Sequence, residues 1–130
     1  MKKTEQFQDE FLATYRRTSP KVTRTEGAFR SAMDLFCRCC YGDMQITAFV
    51  YSVITRKVLG PELAGQRYGR FKMAFFVFSL DHNDPLDHEY YWTDLIKVVL
   101  KENSRELHSR YLNLEQEYEA RRIGTDDQRQ

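Results

Sequence analysis

Apolar residues recur along this chain at steps of three and four, the spacing that lines one face of a helix. Phe7, Phe11 and Tyr15, with Leu12 beside them, predict an amphipathic helix over 4–17, and Pro20 in an 18–22 linker closes it. Thr23-Arg24-Thr25-Glu26 has the form of a capping box, in which a hydroxyl and a carboxylate satisfy the first unpaired N–H groups of a helix. The stripe Ala28, Phe29, Ala32, Met33, Phe36, Cys37 and Cys40 follows it, and Gly42 supplies the stop.

Asp43 is placed to cap a third helix that runs to Leu59, ahead of Gly60-Pro61. Met44, Ile46, Phe49, Val50, Val53, Ile54 and Val58 leave so few polar positions that this segment is expected to be the central element, with a strand as its β-branched alternative. Pro61 suits the first turn of a fourth helix with Leu63, Ala64, Tyr68, Phe71, Phe75 and Phe78 on its inner face. Phe75-Phe76-Val77-Phe78 also suits a pleated surface, so a short strand within 70–80 is the competing reading there.

Asp84-Pro85 opens the last helix, expected to run unbroken to about Arg122. Its stripe is Trp92, Ile96, Leu100, Asn103, Leu107, Tyr111, Leu114 and Tyr118, at an average step of about 3.7 residues against the helical 3.6. The polar 123–130 segment reads as a frayed tail. The expectation is an all-α, single compact domain of about five helices over 1–122, with the 4–17 helix and its linker leading into a 23–122 core.

Composition narrows the class. With 130 residues, 42% of them apolar, the chain can build a core, and 30% charged residues exclude a membrane-embedded protein. The longest strictly apolar run, Met73 to Phe78, is far short of the ~20 residues that span a bilayer, and Met1-Lys2-Lys3 leads into polar and acidic residues rather than a secretory signal. Cys37, Cys39 and Cys40 crowd one turn with no distant partner, which points to reduced thiols and a cytoplasmic protein. Their C-x-x-C spacing falls at the end of a helix, where the dipole opposes a thiolate, so packed and inert thiols are expected.

The net charge of +1 conceals a division. Between Arg16 and Lys72 there are eleven basic and four acidic residues, whereas Asp81 to Leu95 holds five acids and no Lys or Arg. Such asymmetry describes either an oriented electrostatic surface or two segments that face each other in the fold. The acids Asp81, Asp84, Asp87, Glu89 and Asp94 flank Tyr90-Tyr91-Trp92, and three consecutive rings fan over ~200° of a helix. Trp92 lies on the core stripe, so Tyr90 and Tyr91 are the expected exposed anchors of a protein-binding surface.

The basic-aromatic run 67–72 offers an alternative. Arg67, Arg70 and Lys72, supported by Arg16 and Arg17, have the charge to neutralise nucleic-acid phosphates, although no known nucleic-acid motif accompanies them. His82, Asp84, Asp87 and His88 match no metal-site spacing, and Asp84 and Asp87 already suit a helix N-terminus. Neither a catalytic grouping nor a cofactor motif is evident. The sequence therefore reads as a small cytoplasmic interaction protein, an adaptor or inhibitor. Its expected partner is a protein, basic or nucleic-acid-handling; the alternative is a nucleic-acid-binding regulator, and the 96–118 stripe is a candidate homodimer seam.

Overall fold

The computed structural model describes residues 2–18, 25–61, 63, 68–82 and 85–128. Among them are six α-helices and no strand: α1 (Lys3–Arg17), α2 (Thr25–Cys39), α3 (Met44–Val53), α4 (Tyr68–Asp81), α5 (Pro85–Asn103) and α6 (Arg105–Gln128). A π-helical turn, Ile54–Val58, extends α3. The all-α expectation holds.

Local chemistry sets several boundaries. The Asp43 carboxylate accepts from the Ile46 N–H at 2.9 Å, which satisfies a donor that the start of α3 leaves unpaired. Gly42 and Gly60 adopt φ of +79° and +91°, left-handed conformations that cost glycine nothing, and the helical segments before them stop there. The Thr23 half of the expected capping box lies outside the described residues. Its Glu26 carboxylate meets Lys72 Nζ.

The 70–80 segment is helix throughout, which removes the strand alternative. Phe71, Ala74, Phe75 and Phe78 are all buried, the three-and-four spacing of a helix face. Burial against both α1 and α2 overrides the aromatic preference for a pleated surface. This helix, rather than 44–59, is the more enclosed element. Met44 is 70% exposed and α3 buries one side only, whereas even Lys72 and Ser79 of α4 are inside.

The core centre is aromatic. Phe7 and Phe11 of α1, Phe36 of α2, Phe71, Phe75 and Phe78 of α4 and Trp92 of α5 are all buried in one cluster, so the N-terminal helix is part of the core. Phe7 meets Phe78 edge-on at 5.2 Å and Phe36 meets Trp92 edge-on at 5.3 Å. Edge contacts of this kind add about 0.5–1.5 kcal/mol beyond the area they bury.

The expected single helix over 85–122 is two helices. It breaks at Ser104, whose Oγ accepts from the Leu107 N–H at 3.2 Å and so caps α6. The second helix folds back: Lys97 Nζ lies 2.8 Å from Glu115 Oε2, although these residues would sit about 27 Å apart along a straight helix. Contrary to the expected frayed tail, α6 continues to Gln128.

Candidate partner-binding groove

In the acidic and aromatic segment, Tyr91 departs from its expected place. Tyr91 is buried, which corrects the expectation of an exposed Tyr90–Tyr91 pair. Its hydroxyl donates to Glu10 Oε2 at 3.0 Å, its ring stacks on His82 at 4.2 Å, and Lys3 Nζ sits 4.0 Å from the ring centre. The cause is the number of neighbours around α5. Helices α1, α2, α3 and α6 all pack on it, so its buried arc is wider than one stripe. Asp81 and Asp94 are exposed, and Asp81 pairs with Arg17 at 3.5 Å across two largely solvated side chains. Asp84 and the side chains of Asp87, Glu89 and Tyr90 lie outside the described residues.

Two of the five basic candidates, Arg70 and Lys72, are engaged within the fold. Lys72 is buried and paired with Glu26, with Nζ 5.2 Å from the Phe29 ring centre, which corrects its assignment to an exposed phosphate-binding surface. Arg70 donates from Nε and Nη2 to the Tyr15 carbonyl at 3.2 and 2.9 Å and stacks over the Tyr15 ring at 4.3 Å. It thereby adds a donor to a carbonyl in the last turn of α1, at the negative end of that helix dipole. Because α4 lies between α1 and α2, its cations find partners at their ends. Arg16 and Arg17 remain exposed, and Arg67 lies outside the described residues.

The structure opens elsewhere, at the corner between α2 and α3. Tyr41 takes φ +57°, uncommon for a residue with a side chain, and Gly42 follows it in the same region. This reversal brings the Tyr41 ring 5.3 Å from Tyr111 and 5.4 Å from Tyr118. The Tyr111 hydroxyl donates to the Cys39 carbonyl at 2.9 Å. Arg110 reaches Asp43 Oδ2 at 3.2 Å and Gln45 Oε1 at 2.7 Å.

Helix α6 is thereby held across the corner. Between it and the C-terminal half of α2 runs an open groove of about 920 Å³. Leu35, Cys37, Leu114 and Tyr118 supply its apolar lining, and Tyr118 is 51% exposed. Asp34 and Arg38 line it from α2, and Glu117, Arg121 and Arg122 from α6, so both helices present an acid and a base four residues apart and α6 adds a second base.

The thiols are divided by the same corner. Cys40 is fully buried, and burial pushes its thiol from the ordinary 9.0 up to about 12. Cys39 is also buried, while Cys37 lines the groove with its Sγ 3.5 Å from Met44 Sδ. Among the described residues no group of three His, Cys, Asp or Glu is gathered to hold a metal ion. Nor is any described helix long and apolar enough to cross a membrane.

Sequence reasoning misses the groove because its two sides are far apart in the chain and meet only after the reversal at Ser104. One signal was present. Asn103-Ser104 pairs two residues that favour helix ends, in the middle of a stripe that otherwise reads as unbroken. The 96–118 stripe is therefore no single seam: Ile96, Leu100, Leu107 and Tyr111 are buried in the chain's own core, and only Leu114 and Tyr118 reach the groove. Comparison of the chain with protein-family models, with curated proteins and with solved structures finds no match.

Proposed function

We propose that this chain is a small cytoplasmic interaction protein, an adaptor or inhibitor, that seats an amphipathic helical segment of a protein partner between α2 and α6. The observation that carries the reading is Tyr118. A half-exposed tyrosine beside Leu114, on the edge of a groove, is the type of residue that anchors protein interfaces. Apolar residues three and four apart on the incoming helix would meet Leu35, Leu114 and Tyr118. The acids and bases on the two sides of the groove would pair with charged residues flanking the apolar face of the incoming helix. Exposed Asp81 and Asp94 favour a basic partner.

The test is affinity capture from the source cell, with and without nuclease, using the wild type and the Tyr118→Ala and Leu114→Ser variants. A protein that survives nuclease and is lost from both variants supports the reading. Identical capture by wild type and variants overturns it. Loss of everything on nuclease treatment favours a nucleic-acid-binding regulator instead, for which Arg16 and Arg17 are the exposed cations left among the described candidates.

A further inference from the structure

Helices α5 and α6 are joined by one residue. Antiparallel helices are ordinarily connected by about two to five. Ser104 closes one helix and opens the next. The Ser104 N–H donates to the Leu100 carbonyl at 2.8 Å, and the Ser104 carbonyl accepts from the His108 N–H at 2.9 Å. Both bonds span four residues, the α-helical interval. The apolar stripe keeps helical register on both sides of the joint, from Trp92 through Leu100 and Leu107 to Tyr118. The same residues are thus written for one straight helix and folded as two. What holds α6 back is what it touches: Tyr111 on Cys39, Arg110 on Asp43 and Gln45, Glu115 on Lys97, and the Tyr41 ring.

We propose that α6 is an exchangeable arm, and that its occupant site is shared with a second copy of this chain. The two helices straighten at Ser104, and α6 docks across the α2–α3 corner of the other copy. The product is a symmetric dimer that reproduces every one of those contacts between chains. Lys97 of each copy meets Glu115 of the other, and Leu107 and Tyr111 are buried again. The exchange leaves apolar burial unchanged. Its balance is set by the relief of a short, bent joint against the cost of associating two molecules, which concentration offsets. This inference is independent of the partner-binding reading, because it concerns the polar contacts and the joint rather than the groove lining.

The experiment is size-exclusion chromatography with light scattering from micromolar to millimolar chain. Ser104→Ala removes the cap on the Leu107 N–H and places the best helix former at the joint. It should raise the dimerisation constant about twenty-five-fold, fivefold for the cap lost in each of the two chains. Inserting Gly-Ser-Gly after Ser104 supplies a true loop and should leave only monomer. Wild type and Ser104→Ala that both stay monomeric at millimolar concentration overturn the proposal, as does a dimer that persists after the insertion. Should Ser104→Ala fail to fold, a charge exchange decides. Mixed Lys97→Glu and Glu115→Lys chains restore both pairs only in an arm-exchanged heterodimer, which should then exceed its statistical share. A purely statistical mixture shows a side-by-side dimer and rejects the exchange.

Discussion

The aromatic centre and the C-terminal arm of this molecule are held by different forces. Around Phe78 the rings of Phe7, Phe11, His82, Tyr91 and Trp92 all lie within 6 Å, contributed by α1, α5 and the turn that ends α4. Such a centre depends on volume and tolerates no loss of it. Helix α6 buries Leu107 and Tyr111 near its start and adds directional pairs: a tyrosine hydroxyl on a carbonyl, an arginine on a carboxylate, a lysine on a glutamate. The proposed exchange requires that the arm leave as a unit while the centre stays packed.

The largest effect should come from the centre. Phe78→Ala should cost about 3–5 kcal/mol in chemical denaturation, because the surrounding rings cannot all collapse into the space. A loss below about 1 kcal/mol would show that the centre is not packed as described. Raising the pH should come next, and it acts at the corner. The folded Cys40 thiol keeps its proton until about 12, while in the unfolded chain it ionises near 9.0. Over that range the native state binds the extra proton, so stability falls as pH rises. The slope is at most ~1.4 kcal/mol per pH unit for each such group. Burial raises Tyr111 above its ordinary 10.0 as well, and steepens the fall in the same direction. Denaturation curves at about pH 8 and pH 10.5 should show the loss, and Cys40→Ala should flatten it.

Smaller changes sharpen the contrast. Tyr111→Phe leaves the Cys39 carbonyl without its buried donor and should cost about 1–2 kcal/mol. Hydrogen exchange should quicken in α6 before it quickens in α1 or α4. Asp43→Asn keeps an acceptor for the Ile46 N–H but removes the partly buried ion pair with Arg110, so about 0.5–1 kcal/mol is expected. Tyr118→Ala should change stability by no more than about 0.5 kcal/mol, as for an ordinary surface site. A larger loss would place Tyr118 with the centre rather than with the arm, and would weaken its use as a binding residue.

What can be read from the chain before its structure follows the same division. Gly42, Gly60 and Asp43 announce their boundaries because turn and cap chemistry acts within three or four residues. The buried faces of α1 and α4 are legible in the spacing of their phenylalanines. Tyr91 is not, because a hydrophobic stripe gives the direction of the core and not the width of the arc that neighbouring helices cover. Lys72 is misread for a related reason: its Glu26 partner is remote in sequence, and a lysine with its counter-charge inside is indistinguishable by composition from one in solvent. Ser104 is the hardest. Periodicity is equally consistent with a straight helix and a folded pair when the joint adds a single residue.

The π-helical turn after α3 has a consequence for chain length. The Leu59 N–H donates to the Ile54 carbonyl at 2.9 Å, five residues back, and both side chains are buried. In an α-helix residues five apart are rotated by about 140°. The wider turn brings them to one side. It therefore behaves as a one-residue insertion absorbed without moving either end. Deleting the exposed Arg56 would set Ile54 and Leu59 four apart, still on one face of an ordinary helix. Most helices would lose their buried face on gaining or losing a residue. Here a shorter chain and the present one share the same inward side, and the register of Gly60 and everything after it is insulated from the change.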